Sequence, residues 1–172
     1  MLLLISGSLR KDSLNTKLAK AAAKHYGGDS QLADLNLPLY DGDLEEASGI
    51  PASVQKLADQ IASAEAVVIA SPEYNQGISG VLKNALDWVS RTKGGPWKGK
   101  PVALIHATAG RAGGARANYA LRLAMAPFGT KLLQGPEILI AGAHDEFNED
   151  GSVKSDRYDE ALAGAMDALK SL

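Results

Sequence analysis

Leu2 to Asn15 (LLLISGSLRKDSLN) gathers the groups that bind an anion: the hydroxyls of Ser6, Ser8 and Ser13, the Asn15 amide and the Arg10 guanidinium, with Thr16 just beyond. Leu14, Leu18, Ala21 or Ala22, and Tyr26 recur at a helical period after Ser13, a good N-cap residue. The loop therefore opens onto a helix N-terminus, with unpaired N–H groups and a positive dipole end. That is the composition of a phosphate cradle. The pattern GxxxxGK[ST] is missing, and Gly7 is the lone glycine where GxGxxG would need three. An ordinary capped strand-to-helix turn accounts for the serines and the asparagine, but not for an arginine inside the turn.

A second loop, Ser71-Pro72-Glu73-Tyr74-Asn75-Gln76-Gly77-Ile78, follows the cleanest apolar run of the chain, Ala66 to Ala70. Its closing Gly77 suggests backbone brought close to something flat or bulky. A tight turn that stacks Tyr74 on the neighbouring helix is the other reading. A third loop, Ala107 to Gly114, is rich in glycine and contains Thr108, Gly110 and Arg111.

Strands must hold these loops. Leu2 to Ile5, Ala66 to Ala70, Val102 to Ile105 and Ile138 to Ile140 are apolar runs without alternation, as expected of parallel strands covered on both faces. Gln31 to Leu35 is a weaker, edge-like strand. Between them the spacing predicts helices: Leu14 to Tyr26; one begun by Pro51 at its first position, with Val54, Leu57, Ala58 and Ile61 on one face; one capped by Ser79, with Val81, Leu82, Ala85, Leu86 and Val89 inward; Ala115 to about Ala126; and a closing helix carrying Tyr158, Ala161, Leu162, Ala165 and Leu169. Leu37 to Asp43 reads as turns. Alternation of this kind implies a doubly wound five-stranded parallel sheet with helices on both faces, an α/β fold. Ligands of such sheets bind at the carboxyl ends of the strands, where the three loops emerge.

The totals bound the function. At 172 residues the chain is expected to form one domain, residues 1–172. A net charge of -2 offers no broad basic field for nucleic acid or an anionic membrane. The absence of cysteine removes disulfides, zinc–thiolate sites, iron–sulfur clusters and thiol nucleophiles, so any electron traffic needs a bound cofactor. No paired metal ligands are placed by the sequence, and no apolar run is membrane-sized. The start lacks the pattern of a secretory signal, and a soluble, cytoplasmic protein is expected.

Gly7-Ser8-Leu9-Arg10 with Ser13 and Asn15, then Ser71-Pro72-Glu73-Tyr74-Asn75 followed by Gly80-Val81-Leu82-Lys83-Asn84-Ala85-Leu86-Asp87-Trp88, resemble the NADPH-dependent FMN reductases, including the flavodoxin-like quinone and chromate reductases. The resemblance spans essentially the whole chain, and Thr108 with Gly110 to Gly114 is similar to the family's third flavin loop. It implies a flavodoxin-like fold in which Ser8, Arg10, Ser13 and Asn15 hold the FMN phosphate. Pro72, Glu73, Tyr74 and Asn75 would wrap the isoalloxazine, and Thr108 and Gly110 would line its other side. Two positions depart from the family: Ser79 stands where many members have proline, expected to loosen the loop, and Ala109 where a polar residue often follows the threonine, expected to remove a hydrogen bond to the flavin.

The activity so implied is FMN-dependent oxidation of NADPH or NADH with reduction of quinones, flavins or similar small acceptors by a ping-pong hydride mechanism. The flavin carries the chemistry, so no catalytic side chain is assigned. A flavodoxin-type electron carrier is the alternative, although net charge -2 lacks the strongly acidic face by which carriers steer partners. Of the histidines, His25 near a helix C-terminus reads as structural and His144 as solvated, while His106 either touches the ligand or is a satisfied buried imidazole. Lys83 and Asp87 read as a surface pair. A homodimer or homotetramer is expected, with Trp88, Tyr119, Arg91, Arg116 and Arg122 as contact candidates.

Overall fold

Apolar runs became the centre of the sheet. In the computed structural model, which describes residues 1–172, β1 (Leu2–Ser6), β3 (Ala66–Ala70) and β4 (Pro101–Ala107) pair in parallel, and every residue of β1 and β3 is buried. β2 (Ser30–Leu32) is an exposed edge, shorter than expected and displaced toward the N-terminus. The reason is local: the Asp34 carboxylate accepts from the Asn36 N–H at 2.9 Å, an Asx turn that bends the backbone off the sheet. The fifth lane is split. β5 (Lys131–Leu132) pairs with the start of β4 and β6 (Ile138–Ile140) with its end, so the sheet has six strands in five lanes, ordered β2-β1-β3-β4 and then β5 with β6. Strand order reverses between β1 and β3, which places the crevice at their carboxyl ends.

Helices cover both faces. α1 (Leu14–Tyr26) and α6 (Asp156–Lys170) enclose a cluster of 22 buried apolar residues, and α3 (Ala52–Ser63), α4 (Gly80–Ser90) and α5 (Ala115–Met125) one of 19 on the opposite face, so neither face dominates the core. α2 (Gly42–Ser48) replaces part of the expected turn region; it buries no residue, and therefore has no apolar period to betray it. Pro51 occupies the N-cap of α3 rather than its first helical position.

Trp88 corrects one expectation. Its side chain is fully buried, its indole N–H donates to the Pro38 carbonyl at 2.8 Å, and its ring meets Tyr40 edge-on at 4.9 Å. It anchors the strap from Pro38 to Tyr40 against α4 and is not a contact residue. Trp88→Ala is expected to cost about 3–5 kcal/mol in urea unfolding followed by circular dichroism. A loss near 1 kcal/mol would mean that the strap moves in to fill the gap.

Candidate functional site

Loops from β1, β3, β4 and β6 meet around an open cleft of about 280 Å³ at the carboxyl ends of the strands. Ser8, Arg10, Ser13, Asn15, Pro72, Glu73, Tyr74, Thr108 and Gly110 line it together with Leu14, Ala107, Ala109 and His144. Asn75 alone of the expected residues stands outside this lining.

The first wall is the start of α1. Ser13 Oγ accepts from the Thr16 N–H at 3.2 Å and the Ser13 carbonyl from Lys17, whereas the N–H groups of Leu14 and Asn15 have no acceptor in the protein. No acidic residue occupies this first turn, and Arg10 makes no ion pair. The Ser8 hydroxyl accepts from the Arg10 N–H at 3.3 Å and keeps its proton to donate. Ser6 is committed, receiving the Thr16 hydroxyl at 2.8 Å. Asn15 spends its side chain elsewhere: Nδ2 donates to the Ala107 carbonyl at 2.9 Å and Oδ1 accepts from the Ala107 N–H at 3.0 Å. It can meet an anion only through its backbone.

Glu73 is a brace. Its Oε2 accepts from the N–H groups of Arg116 and Ala117 at 3.0 and 3.1 Å, supplying the cap that α5, begun by Gly114, lacks. The second loop is thereby bolted to the third. Ser79 ties the same loop to the first, since its hydroxyl donates to the Gly7 carbonyl at 2.6 Å while capping Leu82 at 3.2 Å. Serine in place of proline therefore fastens this junction rather than loosening it. Tyr74 and Gly77 exchange both backbone hydrogen bonds at 3.0 Å around Asn75 and Gln76, whose φ values are +50° and +63°, a two-residue turn that carries Asn75 away from the cleft. Gly77 needs no close approach, because a Cβ there would meet only the Tyr74 oxygen at 3.8 Å.

The third loop does need its glycines. Gly113 and Gly114 have φ of +60° and +95°, and a Cβ would fall 2.6 Å from the Leu139 oxygen and 2.8 Å from His106 Cβ. His106 lies beneath, fully buried, with Nδ1 2.9 Å from the Ser71 oxygen. Burial pushes its proton affinity down to about 4, against smaller opposing effects of the Ser71 carbonyl, Asn118 and Glu73. His144, expected in solvent, is exposed but on the cleft wall, held there by the Ala143 N–H donating to the Thr108 carbonyl at 2.9 Å. A fourth loop leaving the sheet at the same end was the signal for it. His25 is structural as expected, 2.8 Å from Asp159, and Lys83 with Asp87 is a surface pair at 2.7 Å.

Two free N–H groups at a helix N-terminus, a hydroxyl and an unpaired guanidinium suit a phosphate dianion. Two facing segments, Pro72 to Tyr74 and Ala107 to Gly110, frame a slot that suits a flat ring. The residues present thus fit FMN.

The sequence matches the family model for NADPH-dependent FMN reductases over residues 1–145. It is 40% identical over 169 residues to an NAD(P)H-dependent FMN reductase of Pseudomonas aeruginosa, covering 96% of this chain and 91% of that protein. Identity to a quinone reductase of Escherichia coli is 40% over 137 residues, 77% of this chain and 73% of that one. Among solved structures, the flavoenzyme NAD(P)H:(acceptor) oxidoreductase FerB from Paracoccus denitrificans is similar with a TM-score of 0.88 at 38% identity, over 99% of this chain and 94% of its own.

His106 gives the fold a pH dependence of known sign. Its proton affinity falls from 6.5 in the unfolded chain to about 4 in the native protein, so between these values the unfolded chain binds the extra proton. The contribution is whole above pH 6.5 and is lost as pH drops toward 4. From pH 7.5 to pH 5, cofactor-free protein should lose about 2 kcal/mol in urea unfolding through this residue. His106→Asn should flatten that part of the slope.

Proposed function

The chain belongs to the NADPH-dependent FMN reductase family, and we propose that its cleft holds FMN with the phosphate on α1 and the ring between the second and third loops. It is an NAD(P)H-dependent oxidoreductase with FMN as cofactor, and its acceptors are small molecules. Quinones and flavins are the acceptors we favour. The observation that carries the binding mode is the pair of unpartnered N–H groups of Leu14 and Asn15 beside Arg10.

FMN held there would supply the hydride chemistry that links NAD(P)H to the acceptor. Arg10 and Ser8 clamp the phosphate, and the α1 dipole adds to them. Glu73 and Ser79 keep the ring-facing backbone fixed, so that one open face receives donor and acceptor in turn. That sharing supports ping-pong kinetics. An electron carrier without NAD(P)H oxidation is the weaker reading, because net charge -2 supplies no steering face. Residues 1–172 act as a single FMN-binding domain in this proposal, and a cytoplasmic location follows from dependence on the NAD(P)H pool. No helix is long and apolar enough to cross a membrane.

A homodimer or homotetramer belongs to the same proposal, with a changed contact surface. Arg91 pairs with Glu45 at 2.9 Å and Arg122 donates to the Leu133 carbonyl at 3.1 Å, while Arg116 lies 3.9 Å from Glu73 with its side chain exposed. Beside Arg116, Tyr119 and Leu123 stand one turn apart on α5, 63% and 77% exposed, an apolar pair that a second copy would cover.

Arg10→Ala should weaken FMN binding by about 1.5–3 kcal/mol, the range for a charge-assisted hydrogen bond, and leave riboflavin binding unchanged in calorimetry. Equal loss for both ligands would move the phosphate elsewhere. Light scattering should report a particle larger than the 18.0 kDa chain, and Leu123→Glu should dissociate it. A wild-type monomer with full reductase activity would make the site self-contained.

A further inference from the structure

Buried polar atoms beneath the cleft do not balance. The Ser71 oxygen beside His106 Nδ1 can only accept, so Nδ1 carries the ring proton and Nε2 is a bare acceptor. Nε2 has no partner, and neither has Oδ1 of Asn118, whose Nδ2 donates to Glu137 Oε1 at 2.8 Å. Asn118 is near enough to His106 to raise its proton affinity, so two buried acceptors address each other without a hydrogen between them. One added proton resolves this: Nε2–H donates to Oδ1, and the amide links the new charge to the Glu137 carboxylate.

His106 sits one residue from the cleft lining along β4. Its neighbour Ala107 and Pro72, which follows Ser71, are both lining residues, and Gly114 packs on its Cβ. Around it stand Glu73 from the second loop, Arg122 from α5 and, through Asn118, Glu137 ahead of β6; Glu73 favours a proton there and Arg122 opposes it. In the resting site desolvation prevails and the ring is neutral, with an affinity of about 4. Negative charge arriving overhead tips the balance.

Resting on the reading that the cleft holds FMN, we propose that His106 is a positioning residue that takes up a proton when hydride charge enters the cleft, closing His106, Asn118 and Glu137 into one hydrogen-bonded chain. Breaking the C–H bond of NAD(P)H sends two electrons and one proton into the cleft, oxidises the donor to NAD(P)⁺ and leaves the cleft one negative charge richer. Nε2 takes a proton from water as the counter-charge. A quinone that removes the hydride needs one further proton to become hydroquinone, and the proton then shed by His106 to solvent balances it. Ser71 opens the second loop and Asn118 lies in the first turn of α5, so the chain keeps both walls in register through the change of charge.

Nitrogen-15 NMR of histidine-labelled, FMN-loaded protein reads Nε2 directly. In the oxidised protein the His106 midpoint should lie near pH 4. After anaerobic reduction by NADH its proton affinity should rise about a thousandfold or more, which carries the midpoint to neutral pH, with Nε2 moving to an N–H resonance. Glu137→Gln, an exposed change that leaves the fold intact, should shrink this shift without releasing FMN. A midpoint that stays well below neutral pH in protein that binds and reduces FMN overturns the proton uptake and leaves the FMN reading standing. Protein that takes up no FMN overturns both.

Discussion

The Asn15 side chain closes both of its hydrogen-bonding groups on the backbone of one residue, Ala107, 92 residues away and at the end of β4. A buried peptide left without partners costs roughly 1–3 kcal/mol per group, so the bond pair is expensive to break and holds α1 at a fixed height against the sheet. Everything at the cleft depends on that height. With the side chain spent downward on Ala107, the backbone N–H of Asn15 and that of Leu14 are left for a ligand. A residue whose type suggests direct binding thus spends its side chain on placing unpartnered peptide groups at the cleft.

The same economy governs the other walls. Irregular backbone at the end of a sheet exposes N–H and carbonyl groups that must be paired if they are buried. Here each loop satisfies its neighbour: Ser79 closes on the Gly7 carbonyl, and Glu73 on the first N–H groups of α5. Three loops that are distant in sequence become one rigid rim. Glu73 is mostly shielded, with 16% of its side chain exposed, so these charge-assisted bonds are not dissipated in solvent.

What could be read in the residues divides along physical lines. β1, β3 and β4 were legible because a strand buried on both faces has no choice but to be apolar throughout. α2 was not, because an exposed helix capped by Asp41 leaves no apolar stripe. The split of the fifth lane into β5 and β6 depends on where β4 offers free backbone groups, which no local pattern records. That Ser8, Arg10 and Ser13 gather at one end of the cleft was legible, since cap and guanidinium chemistry are written in side chains. The bracing role of Glu73 was not legible, because its partners are backbone N–H groups 43 and 44 residues on, and a backbone donor has no residue type. That Asn75 stands outside the lining was hidden for a related reason: its positive φ, shared with Gln76, is a property of the closed turn and not of either residue.

The sealing of both indoles has a spectroscopic consequence. Trp88 is fully buried and Trp97 only 2% exposed, and neither lines the cleft. A ligand entering the cleft therefore leaves the polarity around each indole as it was, and their emission maxima stay fixed while the fold holds. Any dimming of tryptophan fluorescence on binding a chromophore then measures through-space energy transfer, so the chain carries two internal rulers whose readings are free of solvent effects.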